Sequence, residues 1–519
     1  MFLFKSSIKM KDLEFSSRCN SKGANLLDHA SHFLMDPWLS VFSHLLSCYI
    51  STVQDELCPH YKLIDYYFLG PLYIVILVVL SPVGLFGSTL WILLCTFFPQ
   101  KKYIQAVVQS SRRHCVGRKD SILCKTNSFS FATANVLLAP EFVGRLNNVK
   151  ETNKRGQEIA KRIAIHSGKQ LFNVKIYNRT YEIAGRSNSI LSEFPYVDFL
   201  CLQEVWEQSS ALLLIRQLKK KFDYFLYDVG EHSLKINMCM IGSGLMFASK
   251  RPILEADFKA FTYRTKHAKY TAQGVLCVKV LLYYNGPFRH VGFVSNVHTQ
   301  AFQEYDAVIP SQLTEVNAFL HMFKERCIQN CDIVDFDVIC GDFNADNMSP
   351  ADRDVQYHEI FNEYKDICVV RPGVDKNWAI GTELRQRMLY KPPLQNPKTF
   401  KEVLIDDSLR RLYVLDADVL RSTGNVNRSL GWSFGHLNTD NSISRKEIVV
   451  HGRNLVNQLV TPDEDGNIPH VQYGGMRRID RIIFSKAYQV EVVGYCFSTA
   501  LTNLTDHLPV CLQLKTISE

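Results

Sequence analysis

Eight polar side chains stand at the ends of apolar, strand-like runs: Asn135, Glu204, His298, Asp342, Asn344, Asp480, Asp506 and His507. Taken singly, each is ordinary. Glu204 can cap a helix, His298 can be a satisfied core histidine, and Gly341-Asp342-Phe343-Asn344 has the composition of a turn. Taken as a set, they suit hydrolysis of a phosphodiester. A hard divalent cation needs oxygen ligands, and Glu204 with Asn135 beside it supplies them. A histidine must take a proton from water, and it does so better when a carboxylate fixes its tautomer. His507 is the candidate base and Asp480 the candidate orienting carboxylate. Asp342 and Asn344 would place water and phosphate, and His298 would donate to a phosphate oxygen. Asp506 would hold the metal or the network around it.

Such residues meet only if the strands that carry them converge at one rim. From about Ser128 onward, short apolar runs alternate with helical stretches. Strands are expected at 129–136, 197–205, 244–249, 274–280, 292–298, 337–342, 478–484 and 509–514. Helices are expected over Thr152–Ile165 and Ser311–Phe323. Residues 355–470 read as looser helical pieces and polar loops. Alternation along an extended chain would put Asp342 and Asn344 on one side. The pattern is mixed α/β, with enough strands for two packed sheets flanked by helices.

The first hundred residues differ. Pro37 to Gln54 is apolar and nearly free of charge, short for a bilayer span, and suits an interfacial or re-entrant helix. Tyr66 to Gln100 carries no charged residue and is long enough to span, with Pro82, Gly84 and Gly87 at its middle. It is expected either to kink there or to turn back as two half-helices. Lys101, Lys102, Arg112 and Arg113 follow, a basic stretch suited to anionic lipid. The division expected is a membrane-associating region over 1–100, with segments at about 37–54 and 66–98, a basic linker over 101–127, and a catalytic domain over 128–519.

Bulk properties narrow the class. The chain has 519 residues, a formal charge of +8 and 21% charged residues. That charge is too small and too dispersed for a nucleic-acid groove, and a nuclease would gain nothing from Tyr66–Gln100. Of the 15 cysteines, Cys201, Cys277, Cys340 and Cys511 sit inside apolar runs, as reduced core cysteines do. A reducing, cytosolic setting is expected for the main domain. Cys48, Cys58 and Cys95 lie close enough to the apolar segments to be acylation candidates.

Three motifs, Leu202-Gln203-Glu204-Val205, Gly341-Asp342-Phe343-Asn344 and Asp506-His507-Leu508-Pro509-Val510, together resemble the DNase I-like metal-dependent phosphodiesterase superfamily. That resemblance implies a four-layer sandwich of two mixed β-sheets between helices. Further stretches resemble the membrane-bound neutral sphingomyelinases of vertebrates, among them Phe131–Val136, Ser243–Ser249, Trp378–Thr382, Arg477–Asp480 and Leu504–Pro509. This implies cleavage of sphingomyelin to ceramide and phosphocholine, dependence on Mg²⁺ with Mn²⁺ as a substitute, and activation by anionic phospholipid. It also implies hydrophobic segments that dip into the membrane from the cytosolic side. The same fold also serves other phospholipid phosphodiesterases and inositol-phosphate phosphatases, and a silent lipid-sensing scaffold is the alternative from outside enzymes. Among the departures from the resemblance, Ala268 and Gln273 stand where relatives carry an Asp and a Lys proposed to switch the site.

Overall fold

Two mixed β-sheets pack face to face and bring the candidate residues to one end. The structure is a computed structural model that describes residues 12–57, 59–98, 100–109, 127–165, 176–177, 182–183, 185–231, 241–301, 308–417 and 474–517. The strands of the two sheets are β1 (Leu13–Phe15), β2 (Ile104–Val108), β3 (Ser128–Leu138), β4 (Ile190–Leu191), β5 (Phe199–Val205), β6 (Tyr224–Tyr227) and β7 (Met246–Ser249). They continue as β8 (Ile253–Ala260), β9 (Gly274–Asn285), β10 (Phe288–His298), β11 (Asp332–Asp342), β12 (Tyr364–Lys365), β13 (Asp480–Ser485), β14 (Val490–Ser498) and β15 (Val510–Thr516). One sheet runs β1-β2-β6-β7-β5-β3-β15-β14-β4, and the other β8-β9-β10-β11-β13-β12.

Period-two alternation sorts the side chains. On β9, Leu276, Val278 and Val280 face the opposite sheet, while Val275 and Cys277 face a helix. On β11, Phe336, Val338 and Cys340 point between the sheets and Ile339 points away. The rings of Phe131, Phe199 and Phe336 meet between the layers, with Phe336 5.1 Å from Phe131 and 5.9 Å from Phe199. Burying a ring of this size contributes roughly 2–3 kcal/mol. The outer layers are α5 (Thr152–Ala164) and α6 (Gln208–Leu218) on the first sheet and α7 (Val308–Cys327) on the second. The four-layer DNase I-like arrangement expected from the sequence is therefore present.

The N-terminal region departs from expectation in three ways. The first apolar segment is not a short helix starting near Pro37. It is α1 (Lys22–Tyr49), 28 residues long, with Ser21 accepting from the Ala24 N–H at its start and Pro37 carried within it. The second does not turn back at Pro82. Helical turns run from Pro59 to Phe97, including α3 (Gly70–Phe97), with the short α2 (Val53–Leu57) between the two long helices. Gly84 and Gly87 act instead as packing sites. A Cβ on Gly87 would lie 2.7 Å from the Leu34 Cβ and 2.9 Å from the Ser31 carbonyl. Trp38 Nε1 donates to Ser81 Oγ at 3.2 Å, and His44 stacks on Tyr73. The result is an antiparallel helical hairpin. Val75, Val78, Val79 and Phe86 remain exposed on α3, which is long and apolar enough to cross a membrane by length and composition.

The third departure concerns the expected basic linker. Ile104–Val108 is strand β2, pairing antiparallel with β6, and Leu13–Phe15 pairs with β2. Residues from both sides of the hairpin thus extend the first sheet. Lys102 lies between Glu231 (3.0 Å) and Asp257 (3.1 Å) and donates to the Phe258 carbonyl at 2.7 Å, so its ammonium is engaged by the fold. Lys101 is exposed; Arg112 and Arg113 lie outside the described residues. Cys48 is buried, which removes it as an acylation candidate, Cys95 is half-buried, and Cys58 lies outside the described residues.

Candidate active site

Register explains why the polar strand ends converge. β3 and β5 run parallel, with Asn135 opposite Gln203. β10 and β11 run parallel, with His298 opposite Asp342. β11 and β13 run antiparallel, with Asp342 opposite Asp480. The C-terminal ends of four strands and the start of β13 therefore share one rim. Gly341 makes the approach of β10 and β11 possible, since a Cβ there would fall 2.0 Å from the Val297 carbonyl oxygen. His507 joins from the loop before β15, which a strap over 382–386 holds in place. Leu508 N–H donates to the Thr382 carbonyl and Leu384 N–H to the Asp506 carbonyl.

His507 Nδ1 and Asp480 Oδ2 are 2.8 Å apart, with Asp480 fully buried. A carboxylate can only accept, so Nδ1 carries the proton and Nε2 is left as the base nitrogen. That Nε2 lies 4.0 Å from Asp342 Oδ2 and 3.9 Å from Asp506 Oδ1. Burial works against the imidazolium, but Asp480, Asp342 and Asp506 outweigh it and hold the His507 pKa well above its ordinary value. Burial also pushes the Asp480 carboxyl up to about 6, against the pull of His507.

Across the cleft, Asn135 Nδ2 donates to Glu204 Oε1 and to Asp342 Oδ2, each at 3.0 Å. Its own Oδ1 accepts from the Leu137 N–H at 3.1 Å. Asn135 thus bridges two carboxylates with its amide nitrogen, and the ligand oxygen expected of it is turned to the backbone. Glu204 has φ +61°, a left-handed conformation uncommon for a side chain of this kind. Burial, together with the charges of Asp506 and Asp342, pushes its carboxyl up to about 7. His298 Nε2 stands 3.9 Å from Glu204 and 3.8 Å from Asp342. Gln273 Nε2 is 3.4 Å from the same nitrogen, so the departing position 273 touches this histidine directly, whereas Ala268 is buried in a neighbouring turn.

Asn344 is placed by a turn, not by strand alternation. The chain leaves β11 at Asp342, Asn344 adopts φ +48°, and its N–H donates to Asp342 Oδ1 at 2.9 Å. Its Nδ2 donates to the Thr299 carbonyl at 2.8 Å.

The donor set fits a hard cation. Glu204, Asp342, Asp480 and Asp506 share one cleft, where burial first, and then the neighbouring charges of Asp506 and Asp342, raise the Glu204 carboxyl. Asp506 Oδ1 is buried without a hydrogen-bond partner among the described residues. Asp342, Asp480 and His507 also offer ligand atoms within 4.8 Å of one another. In that trio Asp480 Oδ2 is engaged by His507 Nδ1, which favours the carboxylates of Glu204, Asp506 and Asp342 as oxygen ligands, while Asp480 Oδ1 is also buried without a hydrogen-bond partner among the described residues.

Two supporting residues escaped the sequence reading. Arg155 on α5 is buried and donates to the Leu504 carbonyl at 2.6 Å, the Leu137 carbonyl at 2.8 Å and the Lys150 carbonyl at 3.1 Å, pinning the loops after Asn135 and before Asp506. Gln386 donates to Asp506. A lone Arg in an amphipathic helix and a Gln in a loop carry no spacing signal that would mark them.

The chain matches the Endonuclease/Exonuclease/phosphatase family over residues 180–507. Human sphingomyelin phosphodiesterase 3 is 30% identical over 335 residues, which cover 62% of this chain and 45% of the human protein. Sphingomyelin phosphodiesterase 5 of Danio rerio is 26% identical over 519 residues, covering 86% of this chain and 87% of the relative. Among solved structures, sphingomyelinase C from Streptomyces griseocarneus superposes with a TM-score of 0.37 and 14% identity, over 75% of this chain and 99% of that one.

Proposed function

We propose, from the premise that the chain belongs to the Endonuclease/Exonuclease/phosphatase family, that it is a membrane-attached, Mg²⁺-dependent sphingomyelinase, with its catalytic domain on the cytosolic side. It releases phosphocholine and ceramide. The observation that carries the hydrolytic reading is the His507–Asp480 pair, 2.8 Å apart, with its free imidazole nitrogen directed at a cleft of carboxylates. The substrate class is supported by relatives named as sphingomyelin phosphodiesterases. The exposed apolar hairpin supports delivery to a membrane.

In this reading His507 Nε2 takes a proton from the attacking water while Asp480 holds the imidazole in the required tautomer. Asp342 and Asn344 orient water and phosphate, and His298 donates to a non-bridging phosphate oxygen. Glu204, with Asp506 and Asp342, would hold the Mg²⁺, for which Mn²⁺ can substitute; the ion supplies charge stabilisation at the phosphoryl group. Positive charge held among these acids would offset their pull on the His507 imidazolium and favour the neutral base. Anionic phospholipid is the proposed activator, through Lys101 together with Arg112 and Arg113.

The test is purified protein in mixed micelles with Mg²⁺, offered sphingomyelin, phosphatidylcholine, inositol phosphates and DNA, with and without anionic lipid. Phosphocholine release from sphingomyelin is expected. Its absence under every lipid condition refutes the substrate assignment, and turnover of another substrate redirects it.

A further inference from the structure

The carboxylate of Asp506 is held from behind. Its Oδ2 accepts from Gln386 Nε2 at 2.9 Å, and the same nitrogen donates to Asn147 Oδ1 at 2.8 Å. The Gln386 carbonyl accepts from Asn148 Nδ2 at 2.7 Å, and Asn148 Oδ1 accepts from the Val53 N–H at 2.7 Å. Val53 opens α2, in the connection between the two long helices of the apolar hairpin.

That connection is itself fastened to the segment carrying Asn147 and Asn148. Arg145 Nη1 donates to the Ile50 carbonyl at 3.1 Å and to Asp55 Oδ2 at 2.8 Å, and Lys150 Nζ meets Asp55 Oδ1 at 2.9 Å. Asn148 is buried and sits at φ +61°, where asparagine is better tolerated than most side chains. Both ends of its amide are used, one toward the hairpin and one toward the active-site strap. The strap cannot shift alone, because Leu384 also donates its N–H to the Asp506 carbonyl at 2.7 Å.

We infer that Gln386 and Asn148 are positioning residues for Asp506, and that they take their placement from the α1–α2 connection. The seating of the apolar hairpin on the catalytic domain thereby sets the orientation of one acid of the cation site. A donor on Oδ2 leaves Oδ1 as the oxygen presented to the cleft. Partners of this kind behind a metal ligand typically control affinity by about 10–100-fold. The inference rests on Asp506 belonging to the cation site of the proposed function.

The experiment follows the Mg²⁺-dependent shift in thermal unfolding of the full chain in detergent micelles, titrated to a Mg²⁺ midpoint. Gln386→Leu removes the donor, and the isosteric Gln386→Glu replaces it with an acceptor and a charge. Asn148→Ala removes the bridge. Val53→Pro deletes only the distant N–H, at a first helical position that accepts proline. The midpoint is expected to rise about tenfold for Gln386→Leu and further for Gln386→Glu, and in the same direction for Asn148→Ala and Val53→Pro. A Gln386→Leu midpoint equal to wild type overturns the positioning role. A Val53→Pro midpoint equal to wild type overturns the link to the hairpin, and this variant carries that test if Asn148→Ala does not fold. Absence of any Mg²⁺ shift in the wild-type chain overturns the proposed cation site and this inference together.

Discussion

Replacing Asp480 with Asn separates the orienting role of the carboxylate from its bulk. The side chain is fully buried and meets His507 Nδ1 at 2.8 Å, and the backbone N–H of the same residue donates to Thr382 Oγ1 at 3.1 Å, so the shape of the site survives the exchange. The charge does not. A hydrogen bond to a charged partner contributes roughly 1.5–3 kcal/mol, so a stability loss of about 2 kcal/mol is expected. Its pH dependence has a definite sign. The folded-state pKa of His507 is raised, so the stability it contributes is fully present below the ordinary histidine value and is lost as pH rises through the folded-state pKa. Because the Asp480 carboxyl is raised to about 6, the charged pair is complete only between that value and the raised His507 pKa, so the penalty of Asp480→Asn in cation-free protein is greatest in that window and shrinks toward both acid and alkaline pH. Catalysis suffers more, because an amide can equally donate to Nδ1 and so move the imidazole proton onto Nε2. Loss of an orienting carboxylate in a comparable histidine pair costs roughly 10⁴-fold in kcat. The assay is kcat and KM for phosphocholine release, with urea unfolding at several pH values. A kcat above one tenth of wild type refutes the assignment of Asp480 as the orienting group.

Glu204→Gln is expected to abolish turnover while stabilising the cation-free fold. Its carboxyl is raised to about 7, so ionisation costs stability progressively between the ordinary glutamate pKa and 7; removing it recovers up to ~3 kcal/mol at alkaline pH, read by urea unfolding in chelator. Gly87→Val drives a side chain into the Leu34 Cβ and the Ser31 carbonyl. A loss of about 1–3 kcal/mol in hairpin packing is expected, seen as faster limited proteolysis between α1 and α3. A chain beginning at residue 128 lacks β2 and leaves the Tyr224–Tyr227 edge unpaired. It is expected to aggregate in size-exclusion chromatography more than one beginning at residue 101, in which the short β2 covers that edge.

The candidate rim is legible in the sequence because each candidate side chain stands at the end of an apolar run, and register then places Asn135, His298, Asp342 and Asp480 at one end. The pairing of His507 with Asp480 followed from chemistry alone. Asn344 reached its place by a left-handed turn rather than by alternation, which a periodicity argument does not describe. Charge-free stretches do not mark the bounds of the hairpin helices. α1 begins 15 residues before Pro37 and carries Asp28 and Asp36, and the two mid-helix glycines mark close packing rather than a turn back. β2 did carry a signal, with Ile104, Ala106 and Val108 alternating inward, but the lysines before it and the arginines after it favoured a linker. Arg155, Asn148 and Gln386 act through backbone carbonyls and side chains more than 90 residues away or in other loops, contacts that exist only once the chain is folded.

In the proposed hydrolysis of sphingomyelin, His507 is the base. The most direct test of that role is single-turnover release of phosphocholine by wild-type protein and His507→Ala, with Mg²⁺ saturating and folding verified by circular dichroism and unfolding midpoint. Rapid release by the wild type and no detectable release by the folded variant are predicted. Substantial release by a folded His507→Ala chain contradicts the account.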